Sequence, residues 1–536
     1  MGSQAHPRLQ KNGRVTQLIA DGKPFLVLGG ELGNSTASDL TEFGPICEKL
    51  KRMHLNTVLL PAYWDLIETQ EGQYDFSLVQ RTIEIAREHG LRLVLLWFGT
   101  WKNSMSCYAP GWVKRDTERF PRVRLRSGEV VEIISPASDA ARRADTRAFT
   151  ELMRWLKGFD GEQHTVLMVQ VENEIGMIPE PRDYSADAKA AYQQPVPAIL
   201  LSRLRNNELG PEVTSLWRRS GGHPEGNWSR VFGADAHGEE VFSAWQFATY
   251  VEAAAAAGKR EYDLPLFVNA ALIRPGYKPG QYPGAGPLPH LMEVWQTGAP
   301  SLDMLCPDIY FPNFEEWSSR YVRGDNPLFI PEMAASARVG GNTLYAIAKG
   351  AMGVAPFAIE TTDKESSITE CYRLLEGMSA LILECQREGK ILCLSPQIDF
   401  DWKVLNQTEQ GELTGIAFEA TFDRLDGSAD SQTTILPTLG AGRWDAPPGT
   451  PCGAAMVLHT GTDEFVVMGS GVVVTFAPSD GQGKIGIESA QEGRFENGGV
   501  WQGGRWLNGD QTHQGRHIRF ERDTWRVQRV RLYRFA

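Results

Sequence analysis

Residues 166–176 read Val166-Leu167-Met168-Val169-Gln170-Val171-Glu172-Asn173-Glu174-Ile175-Gly176. An almost unbroken apolar run of this length fits a strand covered on both faces, as in a parallel sheet wrapped by helices. It hands the polar pair Asn173-Glu174 to its C-terminal end, where parallel barrels keep their chemistry. By itself an Asn-Glu pair is an ordinary strand end with a solvated carboxylate. A second carboxylate in an equivalent place gives it weight. Residues 327–333, Pro327-Leu328-Phe329-Ile330-Pro331-Glu332-Met333, form another short buried-type strand whose end exposes Glu332. The separation, 332 − 174 = 158 residues, leaves room for about three β/α units and puts Glu332 on a seventh strand, across a barrel mouth from a fourth.

Outward from these two strands the rhythm is strand, then helix. After the turn Asp21-Gly22-Lys23-Pro24, Phe25–Gly29 is expected as strand one, Thr57–Pro61 as strand two and Leu93–Trp97 as strand three. Between the last two, Leu78–His89 carries helical apolar spacing at Val79, Ile83 and Ala86 and stops at Gly90. Another helix over Asp139–Lys157 places Ala148, Leu152 and Trp155 on one face before strand four. A long insertion follows, then strand five at Pro265–Asn269, strand six at Met304–Tyr310, strand seven, and strand eight near Gly353–Ile359. From about residue 391 the pattern changes to short alternating runs between Gly, Asp and Pro clusters: Thr414–Ala420, Ala454–His459, Glu464–Met468, Gly471–Phe476, His517–Phe520 and Val527–Tyr533. The chain therefore reads as a (β/α)8 TIM barrel over residues 1–390, followed by a smaller all-β, sandwich-like accessory domain over residues 391–536. The join is expected between Ile382 and Leu394.

Composition narrows the function classes. The 536-residue chain is too long for one compact core and has a formal net charge of −12 with no basic stripe, which argues against nucleic acid. Ten histidines form no His-Glu-x-x-His string and seven cysteines no Cys-x-x-Cys, so no catalytic metal and no cofactor are expected. The odd, scattered cysteines read as small buried hydrophobes rather than a disulfide framework. No apolar leader or stretch of about 18 apolar residues marks a signal peptide or membrane span. Met1-Gly2-Ser3 resembles an expression scar, so the compartment stays open. Asn34-Ser35-Thr36, Asn227-Trp228-Ser229 and Asn406-Gln407-Thr408 match the glycosylation pattern, which matters only in a secreted chain.

With the elements placed, the string Gln170-Val171-Glu172-Asn173-Glu174 resembles the large clan of retaining glycoside hydrolases on (β/α)8 barrels. The strand-two exit, Pro61-Ala62-Tyr63-Trp64-Asp65-Leu66-Ile67-Glu68, and Glu71-Gly72-Gln73-Tyr74-Asp75-Phe76 after it look like stretches of β-galactosidases of families 35 and 42. The strand-three exit, Leu95–Asn103 with Tyr108-Ala109-Pro110-Gly111-Trp112-Val113, most resembles compact bacterial family 35 β-galactosidases with a small C-terminal β-domain. Loop one, Gly30-Glu31-Leu32-Gly33-Asn34-Ser35, is unlike the longer eukaryotic members, so sugar contacts are not transferred from them.

The resemblance implies an exo-acting hydrolase of terminal β-galactosides, with Glu174 as acid/base, Glu332 as nucleophile and Asn173 holding the sugar 2-hydroxyl. Retention requires the two carboxyl groups roughly 5–5.5 Å apart. Tyr310 is expected to donate to the nucleophile, and Trp64, Trp101, Lys102, Asn103 and Asn269, at strand ends, to line the sugar site. Glu31 and Asn34 on loop one are further candidates, then Phe357 and Glu360 on strand eight. Glu172 has the opposite strand parity to Asn173 and is expected to point elsewhere, paired with a buried cation. Trp501 and Trp506 are placed in the accessory domain without an assigned role. The implied partner is a carbohydrate, with neither nucleic acid nor membrane, and self-association is left open. Two alternatives stand beside this: another exo-β-glycosidase of the clan, cutting β-glucosides or β-glucosaminides, and a non-catalytic carbohydrate-binding protein, for which loss of one glutamate is expected.

Overall fold

The computed structural model describes residues 6–406, 408–423, 446–496 and 499–535. Residues 1–5, with the Met1-Gly2-Ser3 leader, and Gln407 of the third glycosylation pattern lie outside the described residues. Eight parallel strands close into a barrel: β1 (Val27–Glu31), β2 (Thr57–Tyr63), β3 (Arg92–Lys102), β4 (Val166–Asn173), β5 (Leu266–Ala271), β6 (Met304–Ile309), β7 (Ile330–Met333) and β8 (Gly353–Pro356). Each is followed by a helix: α1 (Leu40–Arg52), α2 (Ser77–Glu88), α3 (Asp139–Asp160), α4 (Ala236–Glu261), α5 (Met292–Gly298), α6 (Phe314–Tyr321), α7 (Val339–Ala348) and α8 (Ser367–Glu388). The strands are apolar because both faces are covered. One set of side chains, including Val27, Leu59, Val94, Met168, Phe267, Met304, Phe329 and Ala355, fills the barrel interior, and the other packs on the helices.

Several strand boundaries differ from expectation, most of all at the first and eighth strands and in the third, which runs on to Lys102. Lys23–Phe25 pairs antiparallel with Val15–Ala20 in a three-stranded sheet, whose Leu18 and Ala20 pack against the interior barrel side chains. The first barrel strand therefore begins later, at Val27. The eighth stops at Pro356 because Ala358 takes a left-handed backbone (φ 52°) that opens a 3-10 turn.

Beyond α8 the described residues form two antiparallel sheets. The strands β9 (Ile391–Leu394), β10 (Thr408–Leu413), β11 (Ile416–Phe422), β12 (Ala454–Gly461), β13 (Glu464–Ser470), β14 (Val472–Pro478), β15 (Lys484–Glu496), β16 (Val500–Leu507), β17 (His517–Phe520) and β18 (Arg526–Phe535) form a six-stranded sheet, β9-β12-β13-β18-β15-β16, and a four-stranded one, β10-β11-β14-β17. Alternation divides the larger sheet's side chains between two cores. On β12, Ala455 and Val457 face the smaller sheet, whereas Ala454, Met456 and Leu458 join the cluster containing α7 and α8 of the barrel. Trp525 seals that junction by donating to Ser367 Oγ (2.9 Å), and a Cβ on Gly340 of α7 would lie 2.4 Å from its ring.

Candidate active site

The exits of β4 and β3 form one unit. Asn173 and Glu174 leave β4, and Glu174 takes a left-handed backbone (φ 43°) fixed by its N–H donating to Asn269 Oδ1 on β5 (2.8 Å). Against them β3 bulges: Trp97 pairs with Val171 and Lys102 with Asn173, so residues 98–101 oppose the single Glu172. The bulge presents Lys102 and Asn103 to β4. Lys102 Nζ donates to Asn173 Oδ1 (2.8 Å), and Asn103 Nδ2 donates to the Glu174 carboxyl. The Asn103 and Ser104 amides also bond the carbonyls of Asn173 (3.2 Å) and Glu174 (3.1 Å).

Glu332 closes β7, and Tyr310, just past β6, donates its hydroxyl to Glu332 Oε1. The second Glu332 oxygen, Asn173 Nδ2, Glu31 Oε1 and Asp308 Oδ1 are buried polar atoms without a hydrogen-bond partner. Such atoms are costly to leave unpaired unless a ligand meets them. Together they offer acceptors and one amide donor to a polyhydroxylated guest.

The electrostatics separate the carboxyl groups. Burial, then the Glu332 charge, pushes Glu174 up to about 7, against the opposing pull of Lys102 and Asn103. Burial followed by the Glu332 charge holds Glu31 well above the usual carboxylate range. Asp308 is held there by burial and then the charges of Glu332, Glu174 and Glu31. Burial opposes the charge on Lys102, but the surrounding carboxylates outweigh it and raise the ammonium's pKa. The site therefore holds a proton on Glu174 near neutrality and one fixed cation among four carboxyl groups.

Several expected sugar contacts lie elsewhere. Trp64 is wholly buried, donating to Glu68 (2.7 Å) and packing on Trp97 and Trp112. Trp101 is also wholly buried because the bulge turns it outward onto Phe247 and Tyr250 of α4, with its Nε1 on the Ile134 carbonyl. Neither has a face for a pyranose. Asn269 spends its amide on Glu174 and on Asp308 (2.6 Å), so it positions rather than binds. Asn34 accepts from the Tyr63 hydroxyl through its carbonyl, while its buried side-chain oxygen lacks a partner. Glu360 anchors loop one through Gly33 N (2.8 Å) and Thr36 Oγ1 (2.6 Å), and Phe357 packs edge-on against Tyr310. Glu172 points away from Asn173 as expected, but its neighbour is the carboxyl of Asp145 rather than a cation. Asp308 is the residue that sequence reasoning missed. Its signal was parity, because Asp308 and Tyr310 share one face of β6. Among the described residues no group of three or more His, Cys, Asp or Glu is arranged to hold a metal, and no helix is long and apolar enough to cross a membrane.

Comparisons with known proteins bear on parts of the chain. Residues 41–198 match the profile of glycoside hydrolase family 42, described as beta-galactosidase. That stretch contains Asn173-Glu174 but not Glu332. Residues 368–519 match a profile described as a domain of unknown function, DUF5597. A beta-galactosidase of Xanthomonas manihotis is 28% identical over 181 residues, covering 33% of this chain and 28% of that protein. Crystal structures of beta-galactosidases from Bacillus circulans sp. alkalophilus and Rahnella sp. R3 align at a TM-score of 0.47 each, with 16% and 15% identity. They cover 67% and 71% of this chain, and 57% and 59% of theirs. The chain thus spans under a third of the curated relative's length and under two thirds of either crystallised chain. The matching profile is that of family 42, in the same clan as the family 35 named from the motifs.

Proposed function

We propose that this chain is an exo-acting, retaining β-galactosidase with Glu174 as acid/base, Glu332 as nucleophile and a compact family 35-like organisation. One observation carries the reading: two buried strand-end glutamates stand in unlike settings, Glu174 keeping its proton up to about pH 7 and Glu332 held by the Tyr310 hydroxyl. The family 42 match over the β4 motif and the partial likeness to the Xanthomonas manihotis enzyme favour a β-galactoside over other β-sugars.

In this mechanism Glu332 attacks the anomeric carbon while Glu174 protonates the departing oxygen, leaving a glycosyl-enzyme and an alcohol. Esterification removes the Glu332 charge, which had helped keep Glu174 protonated. Glu174 is then a better base, and takes a proton from the water that hydrolyses the ester. The unpartnered Asn173 Nδ2, aimed by Lys102 on the other amide atom, is the donor for the sugar 2-hydroxyl.

A panel of aryl glycosides tests the sugar, and azide tests the roles. With activated dinitrophenyl galactosides, Glu174→Ala is expected to turn over with azide to β-galactosyl azide, by interception of the glycosyl-enzyme. Glu332→Ala is expected to yield the α-anomer by a single inverting attack. Exchanged anomers would reverse the two roles. Activity confined to β-glucosides or β-glucosaminides would replace the substrate while keeping the mechanism.

A further inference from the structure

Beneath the proposed acid/base lies a second carboxyl pair that the mechanism does not use. Glu172 takes a left-handed backbone (φ 62°) and turns into the β3 bulge. There its Oε1 accepts from the Thr100 amide (3.1 Å) and its Oε2 from the Trp101 amide (2.7 Å). The bulge removes these amides from the regular ladder, and an unpaired buried N–H is costly. Gly99 makes room for the carboxyl, since a Cβ there would lie 2.8 Å from Glu172 Oε1 and 2.4 Å from Trp97 Nε1. Asp145, reaching in from α3, accepts from Trp97 Nε1 (2.8 Å), Thr100 Oγ1 (2.6 Å) and the Tyr250 hydroxyl (3.3 Å). Both carboxyl groups are buried, with Tyr250 the titratable neighbour from α4, and no lysine or arginine is ion-paired with either among the described residues.

We propose that Glu172 and Asp145 share one proton, carried on Glu172, and that this pair is a positioning device that locks the β3 bulge so that Lys102 and Asn103 meet Asn173 and Glu174. Two adjoining carboxylates cannot both stay ionised in a buried, cation-free setting, and a single proton between them makes a strong charge-assisted bond. Burial, followed by the Asp145 charge, holds the Glu172 proton well above the ordinary range. The locked segment runs directly into Lys102 and Asn103, so loosening it weakens the Asn103 donor that favours the ionised form of Glu174.

The positioning role rests on the reading of Glu174 as acid/base; the shared proton does not. Glu172→Gln keeps a donor toward Asp145 and one amide acceptor, whereas Glu172→Leu removes both. Infrared difference spectra at pH 8 are expected to show a protonated-carboxyl band that Glu172→Gln abolishes while those of Glu31 and Asp308 remain. In pH profiles on an aryl galactoside, Glu172→Leu is expected to lower kcat at least about thirtyfold with KM little changed, and to move the basic limb to higher pH. Glu172→Gln is expected to restore both to within about threefold of the wild type. Loss of no carboxyl band in Glu172→Gln would overturn the shared proton. A basic limb unmoved in Glu172→Leu, or equal damage from Gln and Leu in folded proteins, would overturn the positioning role. A wild type that cleaves no glycoside, yet shows a band that Glu172→Gln removes, would refute the glycosidase reading and leave the shared proton standing.

Discussion

Replacing Glu174 by Gln should abolish turnover and yet stabilise the protein, with a pH dependence set by the buried site. The carboxyl is held up to about 7 from an ordinary value of 4.5, first by burial and then by the Glu332 charge. Below pH 4.5 the group is protonated both folded and unfolded and costs nothing. As pH rises the unfolded chain releases the proton first, so folding stability falls until about pH 7 and then levels off. At about 1.4 kcal/mol per pH unit, that interval amounts to about 3 kcal/mol. A glutamine is neutral throughout and still accepts from Asn103, so Glu174→Gln should gain nearly the whole amount at pH 8 and little at pH 5. In a cooperative unit of this size that is on the order of 3–5 °C in Tm. Paired thermal melts of wild type and variant at the two pH values measure it. A gain equal at both pH values, or a loss at pH 8, would refute the claim that Glu174 is a strained buried acid.

The same site dictates further outcomes. The kcat/KM of the wild type should fall as pH rises through about 7, when Glu174 loses its proton; Lys102→Met should move that limb upward, because the cation favours the carboxylate, and should cost about tenfold to two-hundredfold through the freed Asn173. A limb that stays or moves downward would contradict the assigned electrostatics. Tyr310→Phe removes the hydroxyl bonded to Glu332 and should lower kcat about tenfold to a hundredfold with the fold intact, as single-turnover rates and circular dichroism would show. Trp64→Ala should cost about 3–5 kcal/mol of stability, read by denaturant unfolding, because the ring is core; a raised KM at unchanged stability would return Trp64 to the sugar site.

How far the sequence reveals this site depends on the range of the forces involved. The strands that end in Asn173-Glu174 and Glu332 are readable because a parallel strand covered on both faces must be apolar along its length, a local property. The Gly-rich strands Lys484–Glu496 and Val500–Leu507 carry little strand signal because Gly486, Gly493, Gly503 and Gly504 interrupt the alternation that marks a strand. Trp64 and Trp101 depart from expectation for a different reason. A strand-end tryptophan can face the mouth or the helices, and pairing alone decides between them.

At Trp101 that pairing is the bulge in β3, which simple alternation conceals. Alternation also puts Glu172 and Glu174 on one side of β4, and the left-handed backbone at both residues breaks that rule. The carboxyl of Glu172 then faces two amides that only the bulge leaves free, while Glu174 faces an asparagine that only the bulge delivers. A sequence reading that assumes regular strands can name Glu174 but not its support. The support consists of departures from regularity, in which β3 supplies four residues against one on β4. Their cost is carried by buried hydrogen bonds that reach across as many as 71 positions of chain, from Thr100 through Asp145 to Glu172 and Asn173.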